Sequence, residues 1–349
     1  MGKYTRKIGI TEIALALLFI FSIFLSLSAA IPTTLYSKTN YPNGVSHEDW
    51  NRHSVWIRNI INGNFSTIYD YPPYFHLTMI PFVLLLGENI RFVQIIFAVL
   101  TTAMILYFAY EMENKYVMVF LSILLGTNIV FITFNSQLVP QTLDYYIFPL
   151  VVMSFFKKKN FIASAGLIAL IYNHLVGIFF LGIIFIYSIF KRKDFLKYFI
   201  LIIVCCLPIF FIYYLPNFID IIRFFDGKVD NNIFTVGVYA TTNFTETGQM
   251  FENSWSKQFV SPIENFFIFN GFIAWSLLPF SLYILYRKKF KLSEMQIFYI
   301  VWCLCLMPMI IFNALRWSSY FMIPFSLLVV SLLVGKDVQQ KIYKRGDSS

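Results

Sequence analysis

Ten apolar runs, separated by short polar or basic segments, constrain the fold of this chain more than any other feature. A run of about 20 apolar residues is long enough to cross a bilayer as a helix. Only 13% of the residues are charged, whereas soluble domains carry about 25%. We therefore predict an all-α polytopic transmembrane bundle of about ten spans, forming one integral-membrane domain over residues 1–349. The runs are 10–31, 91–110, 116–134, 143–156, 161–173, 175–190, 195–215, 266–286, 295–313 and 319–335.

An eleventh apolar run, residues 77–87, has only about 11 residues and is too short to cross a bilayer. Its position follows from the basic clusters, because loops rich in Lys and Arg stay on the cytoplasmic side. If this run lies on the outer face as an interfacial or re-entrant helix, every basic cluster falls inside and both termini are cytoplasmic. The clusters are Lys3–Lys7, Lys157–Lys159, Lys191–Lys193, Arg287–Lys289 and Lys336–Arg345.

The same topology leaves two long loops, residues 32–89 and 216–264, on the extracytoplasmic side of the cell membrane. The outer segments hold eight basic and eleven acidic residues, so the net charge of +9 reflects membrane topology and does not indicate nucleic acid binding. All four histidines fall on the outer side, and we expect the chemistry there. The four cysteines lie inside apolar runs and are expected to be free thiols.

A polar stretch follows the first span, and its first half, residues 47–62, has apolar residues at helical spacings. This pattern predicts an amphipathic helix on the membrane surface, with Asp49 and His53 one turn apart on one face. Asp49 or its neighbour Glu48 could serve as a general base, while His53 binds phosphate or steers the proton. The structural alternative is a capping box formed by Ser46 and Asp49, in which Asp49 only starts the helix.

Two further groups of polar residues lie at outer ends of apolar runs. In the segment Tyr-Pro-Pro-Tyr-Phe-His, the prolines impose an extended corner, and Tyr74 and His76 are candidates for substrate contact. Gln137 and Gln141 lie at a later outer turn, close to Asp144 near the start of a span. An ionisable group at that depth is costly unless satisfied, although a helix N-terminus also favours an acid.

His174 lies at the tip of a tight hairpin between two short spans, where a capping role and a ligand role are both open. Arg316 and Trp317 lie at the last outer turn. The positive-inside rule disfavours an arginine there, and its planar guanidinium suits a phosphate. Snorkelling beside Trp317 is the structural alternative.

Three stretches of the chain resemble the GT-C superfamily of polytopic membrane glycosyltransferases, of the archaeal and bacterial dolichyl- or polyprenyl-phosphate type. In the first, Asp49–His76, an acid four residues before a histidine is followed by I-x-x-I-I-x-G and Y-P-P-x-F-H. The second is the outer turn Gln137–Gln141, and the third is R-W-x-x-Y-F-x-I-P over Arg316–Pro324. The order of spans and outer loops also fits that superfamily.

The resemblance implies a sugar transfer at the extracytoplasmic face, from a polyprenyl-phosphate donor to a glycan, lipid or protein acceptor. It implies Asp49 or Glu48 as the catalytic base, and it implies Arg316, His53 and His174 as the donor-phosphate ligands. The residues it assigns to substrate binding are His76, Tyr74, Gln137, Gln141 and Trp317. The chain has no D-x-D motif, so a divalent metal, Mg or Mn, stays open and no other cofactor is expected.

Other classes of protein are less well supported by the sequence. The chain has no P-loop, G-x-G-x-x-G, G-x-S-x-G or zinc-type C-x-x-C motif, which argues against ATP hydrolysis and Rossmann chemistry. A transporter, flippase or polymerase of lipid-linked saccharides is the main alternative, and it predicts a polar path through the spans. A non-catalytic membrane subunit is another, and it predicts that Asp49 and Arg316 tolerate substitution.

Overall fold

The computed structural model describes most of the apolar runs. Nearly all of the first span over 10–31, Gln137 and nearly all of the loop 216–264 lie outside the described residues. The side chains of residues 48–52 and 314–319 are also outside that description, although their backbone is helical. The described residues are 20, 48–66, 71–128, 131, 138–216, 219, 272–289, 291–310 and 314–334.

The described part of the chain is helical and contains no strand, which confirms the all-α part of the predicted fold class. Short 3₁₀ turns cover Gly87–Ile90 and Lys193–Phe195, and a π-helix covers Phe210–Tyr214. The α-helices are α1 Glu48–Ile61, α2 Tyr74–Leu86, α3 Arg91–Met112, α4 Lys115–Gly126, α5 Pro140–Phe156, α6 Asn160–Asn173, α7 Val176–Lys191, α8 Leu196–Ile209, α9 Phe272–Arg287, α10 Glu294–Ile310 and α11 Ala314–Val334.

Two stretches of helix, Val93–Met112 and Lys193–Tyr214, are long and apolar enough to cross a membrane, and six further described helices are apolar but shorter. The second stretch also exposes large apolar side chains along its length, including Ile200, Val204 and Phe211. Exposed apolar surface of this extent is characteristic of a lipid or protein contact. The structure therefore supports membrane association.

Helix α5 is the central element of the bundle, since 14 of its 17 residues are buried. Its Phe148 ring stacks on Phe180 of α7 at 3.8 Å between centroids and meets the edge of Trp302 of α10 at 4.5 Å. Helix α5 begins at Pro140, three residues before the predicted run, because proline is favoured at the first helical position. Gln141 and Asp144 are therefore inside the first turns of the central helix.

The predicted run 116–134 is interrupted in the structure. Helix α4 ends at Gly126, where the Thr127 hydroxyl donates to the Ile123 carbonyl at 2.8 Å. Asn128 then accepts a hydrogen bond from the amide of Phe131 at 3.0 Å, the pattern of an N-cap. Side chains that bond to local backbone groups compete with helix continuation, which explains a break that the hydropathy alone does not show.

Each of the two opposite ends of the bundle has its own set of polar contacts between helices. At one end, here the basic end, Lys157 pairs with Glu111 at 2.5 Å and Asn114 donates to the Val334 carbonyl at 2.9 Å. Arg192 pairs there with Asp194 at 2.8 Å. The other end, here the histidine end, joins the N-termini of α5, α7 and α11 to the C-termini of α6 and α8.

Both ends of helix α2 lie towards the histidine end. His76, in its first turn, packs against the rings of His53 and Tyr71. The last residue of α2 is followed by one 3₁₀ turn and then by the start of α3, whose far end carries Glu111 at the basic end. Helix α2 therefore does not run through the bundle to the basic end.

Candidate functional site

The carboxylate of Asp144 is the most buried charged group at the histidine end, with no exposed surface. The Asn173 amide donates to its Oδ1 at 2.7 Å and to the Pro140 carbonyl at 2.8 Å. The Tyr320 hydroxyl donates to its Oδ2 at 2.8 Å, and His174 Nδ1 lies 3.4 Å from the same oxygen. Partners from α6 and α11 satisfy the buried oxygens, as a carboxylate away from water requires.

His174 has two polar neighbours at the same ring nitrogen. Its Nδ1 accepts a hydrogen bond from the backbone amide of Val176 at 3.4 Å, and it lies 3.4 Å from Asp144 Oδ2. The residue therefore contacts both the start of α7 and the buried carboxylate of α5.

The other two histidines of the site bond directly to each other. His53 Nδ1 and His76 Nε2 are 2.9 Å apart, and both residues are buried. Burial lowers the pKa of His76 from 6.5 to about 4, and the backbone of Pro72 offsets only part of this effect. His76 is therefore neutral at physiological pH.

Tyr71 connects the two histidine groups. Its ring lies 5.1 Å from the His53 ring and 5.6 Å from the His76 ring, and on its other side it lies 6.1 Å from His174. It also stacks on Trp56 at 5.4 Å. The three histidines, which come from α1, α2 and the α6–α7 turn, are thus arranged around one tyrosine.

A local departure from α-helical geometry brings the end of α8 into the same group. Pro208 cannot donate a backbone hydrogen bond, and the Tyr172 hydroxyl donates to the nearby Cys205 carbonyl at 2.9 Å. The π-helix follows at once, and its Tyr213 ring lies 6.3 Å from the Tyr71 ring. Single π-turns are frequent at functional sites. Its neighbour Tyr214 donates to the Ile171 carbonyl at 2.6 Å.

The structure brings together three of the predicted site residues, His53, His76 and His174. Gln141 is buried in the first turn of α5, three residues before Asp144. Tyr74 is exposed, and its carbonyl accepts a bond from the Thr78 hydroxyl. The tyrosine in contact with the histidines is therefore Tyr71.

The other predicted site residues are described by their backbone alone, apart from Gln137, which lies outside the described residues. Glu48 and Asp49 open helix α1, and Asp49 precedes His53 by one helical turn. Arg316 and Trp317 lie in the first turn of α11, and Arg316 is one turn before Tyr320. Asp49 and Arg316 thus each lie one helical turn from a residue of the site.

Sequence reasoning missed Tyr71, Asn173 and Tyr320 as site residues. Tyr71 directly precedes the two prolines, and Tyr320 lies within the stretch Arg316–Pro324. Neither position indicates which residue the tyrosine contacts. Asp144 and Tyr320 are 176 residues apart, so no local pattern predicts their contact. An acidic residue inside an apolar run does predict that a hydrogen-bond partner exists. The position of Asp144 was therefore the signal that could have led to its partners.

The described residues contain no group of three His, Cys, Asp or Glu side chains that could hold a metal ion. The side chains of Glu48 and Asp49, which would be needed for a mixed carboxylate–histidine site beside His53, lie outside the described residues. The requirement for Mg or Mn therefore stays open, as it does from the sequence.

Comparison with known proteins adds no relative, since no protein-family model matches the chain and no curated protein matches its sequence. The resemblance to GT-C enzymes therefore stays a prediction. The function has to be inferred from the groups at the histidine end and from the distribution of apolar surface.

Proposed function

We propose that this protein is a polytopic membrane glycosyltransferase of the GT-C type. It moves a sugar from a polyprenyl-phosphate donor to a glycan, lipid or protein acceptor at the extracytoplasmic face of the cell membrane. The observation that carries the proposal is the arrangement of His53, His76 and His174 around Tyr71, with Asp144 held against His174. Titratable groups collected at one end of an apolar bundle suit a substrate with a lipid tail and a polar head.

The proposed topology has about ten spans, with the basic end in the cytoplasm and the histidine end outside. The division of polar contacts between the two ends supports it, because consecutive helices from α3 to α8 alternate in direction. Helix α2 lies along the outer face, and its contact with His53 of α1 supports that position. The donor tail lies between spans, where the large exposed apolar side chains of α8 offer lipid-facing surface.

In the proposed reaction, the oxygen of an acceptor hydroxyl forms a bond to the anomeric carbon of the donor sugar. The bond from that carbon to the phosphate oxygen breaks, and its electron pair leaves with the lipid phosphate. Asp49 or Glu48 takes the hydroxyl proton, while Arg316 stabilises the charge that develops on the phosphate. His174 lies near that phosphate, since Asp144 links it through Tyr320 to the helix that carries Arg316.

The distribution of polar groups favours an enzyme over a transporter. A transporter of lipid-linked saccharides needs polar groups along a path between the two ends of the bundle. Several hydroxyl groups of the described helices instead bond to backbone carbonyls, either in their own helix, as Ser188 does to Ile184 at 2.6 Å, or in a neighbouring helix, as Ser281 does to Val329 at 3.1 Å. A hydroxyl that is bonded to a carbonyl in this way is satisfied without a ligand.

The experiment is a transfer assay with the full chain in lipid nanodiscs and a panel of radiolabelled polyprenyl-phosphate sugars. We expect Asp49→Asn to abolish transfer while the protein stays folded, or Glu48→Gln to do so if Glu48 is the base. Asp194→Asn is the matched control, because this acid pairs with Arg192 at the basic end, and it should leave transfer unchanged.

Two outcomes would overturn the proposal. If none of the donors loses its sugar in the presence of the wild-type protein, the glycosyltransferase function fails. If the protein, reconstituted in vesicles, carries labelled donors from one leaflet to the other without sugar transfer, the flippase class replaces it.

A further inference from the structure

Two turns at the basic end of the bundle lie against each other, the turn between α5 and α6 and the turn between α7 and α8. The guanidinium of Arg192, in the second turn, joins them by donating to the Phe155 carbonyl and, at 3.0 Å, to the Asn160 side chain. It also lies over the Phe155 ring, 4.7 Å from the centroid, and pairs with Asp194 at 2.8 Å. The two turns therefore present one continuous surface.

This surface is rich in lysine. Lys157 pairs with Glu111 of α3, whereas the other five exposed lysines form no ion pair with an acidic side chain in the described part of the chain. Like charges held this close repel one another, so the surface favours an anion that neutralises them. Together with Arg192, six exposed lysines form what we call the double-turn surface: Lys157, Lys158, Lys159, Lys191, Lys193 and Lys197.

The acidic residues beside the double-turn surface are too few to neutralise it. Glu111 and Asp194 are each paired with one basic side chain. Glu294 of α10 lies at the edge of the surface, where its carbonyl accepts from the Tyr187 hydroxyl at 3.4 Å. Seven basic side chains against these three acids leave four positive charges in excess.

The backbone that carries the lysines is held in place by hydrogen bonds. In the first turn, the Lys159 amide donates to the Ser154 carbonyl at 2.8 Å. In the second turn, the Phe195 amide donates to the Arg192 carbonyl at 2.9 Å, and the Phe195 side chain is fully buried. A ligand bound here therefore orders only the lysine side chains, which lowers the entropic cost of binding.

Large exposed apolar side chains border the lysines, further along the helices that begin or end at the two turns. Phe161, near the start of α6, is 72% exposed, and Phe190, near the end of α7, is 74% exposed. Ile200, in the first turns of α8, is 70% exposed. In a membrane, such apolar side chains lie among acyl chains, while lysines beside them reach the level of the phosphates. The surface thus combines a charged part with an apolar part, as a phospholipid does.

We propose that the double-turn surface binds the headgroup of an anionic phospholipid. The lysine ammonium groups surround the lipid phosphate, and an acyl chain runs along Phe161 and Phe190. Charge alone would suit any anion, but the exposed phenylalanines favour an anion that carries an acyl chain. The inference does not depend on sugar transfer, and it gives the basic end of the bundle a specific lipid contact.

The probe is dioleoyl-phosphatidylglycerol, added to the full chain in a neutral detergent, with bound lipid measured by native mass spectrometry. Dioleoyl-phosphatidylcholine tests the need for net negative charge, and glycerol phosphate tests whether a free phosphate is enough. We expect phosphatidylglycerol to bind in preference to both. Its affinity should fall at high salt, because salt screens the attraction between exposed charges.

The surface itself is tested by combining Lys158→Gln with Lys193→Gln, one lysine from each turn. The matched control combines Lys289→Gln with Lys291→Gln, which removes the same charge from the turn between α9 and α10. Lys158 and Lys289 also share a positive φ, 58° and 54°, so the backbone effect of Gln is comparable. We expect the Kd for phosphatidylglycerol to rise about 10- to 30-fold in the first variant, and to stay close to that of the wild type in the control.

An unchanged Kd in the first variant, or an equal rise in both variants, would overturn the proposal, because this surface would then contribute nothing of its own. Phosphatidylcholine or glycerol phosphate binding as tightly as phosphatidylglycerol would also overturn it. Thermal unfolding without lipid shows whether each variant is folded, and we expect wild-type values because the substituted lysines are exposed. If the first variant is destabilised, Lys159→Gln combined with Lys197→Gln gives the same test.

Discussion

The hydroxyl of Tyr320 donates a 2.8 Å hydrogen bond to the buried carboxylate of Asp144, across 176 positions of the chain. This contact joins the last described helix to the first turns of the central helix α5. It also fixes the rotation of α11 about its own axis. The backbone position of Arg316, one turn before Tyr320, is thereby fixed relative to Asp144 and His174. This polar bond thus ties the register of the last described helix to the site.

We expect Tyr320→Phe to lower the free energy of unfolding by about 1.5–3 kcal/mol, because one charge-assisted bond in a buried site is lost while the ring contacts remain. Asp144→Ala should cost more, since it leaves the Asn173 amide and the Tyr320 hydroxyl without their shared acceptor. Thermal and denaturant unfolding in detergent measure both. The control is Tyr283→Phe, which removes an exposed hydroxyl. A Tyr320→Phe variant as stable as this control would contradict the prediction.

Much of the helical architecture could be predicted from hydropathy alone. Long apolar runs gave the positions of α3 and α5 to α11 to within a few residues at most ends, because burial and lipid contact both demand continuous apolar sequence. The break after Gly126 could not be predicted this way, since it depends on the side-chain bonds of Thr127 and Asn128. The π-turn before Tyr214 likewise depends on one proline and one tyrosine from a neighbouring helix.

The site was predictable where its residues are polar in an apolar context. His53, His76 and His174 stand out in such a chain, and Asp144 does so as an intramembrane acid. The sequence could not show which of these side chains contact each other, because those contacts depend on which helices pack together. His174 could have been a cap or a ligand, and the structure shows that it contacts both the Val176 amide and Asp144, each at 3.4 Å.

The second prediction concerns topology. Single cysteines at positions 64 and 88, in a background without the native cysteines, should react with an impermeant reagent on the same side of the membrane, because α2 lies between them without crossing. A cysteine at 193, at the basic end, should react only after the membrane is permeabilised. Labelling of 64 and 88 from opposite sides would contradict the proposed position of α2. Labelling of 193 in sealed vesicles would reverse the proposed orientation.

The third prediction is a loss of stability in acid. The pKa of His76 is about 4 in the folded protein and 6.5 when unfolded, so between these values the unfolded chain binds more protons. Stability is therefore complete above pH 6.5 and falls as the pH drops towards 4, by about 3 kcal/mol for this group. Unfolding of wild type and His76→Gln across this range measures the effect. The variant cannot titrate at this position, so an equally steep decline in both proteins would contradict the assignment.

The last prediction concerns the donor phosphate. Arg316 stands in the first turn of α11, one turn before the tyrosine that holds Asp144. If it binds the phosphate, Arg316→Lys keeps the charge but loses the planar fork, and Arg316→Ala loses both. We expect the KM for the polyprenyl-phosphate donor to rise in both variants, and by about 10- to 100-fold in the Ala variant, since one charge-assisted contact is worth about 1.5–3 kcal/mol. The control is Arg287→Lys, at the basic end. A donor KM unchanged in Arg316→Ala would remove Arg316 from the site, and the snorkelling role beside Trp317 would then account for it.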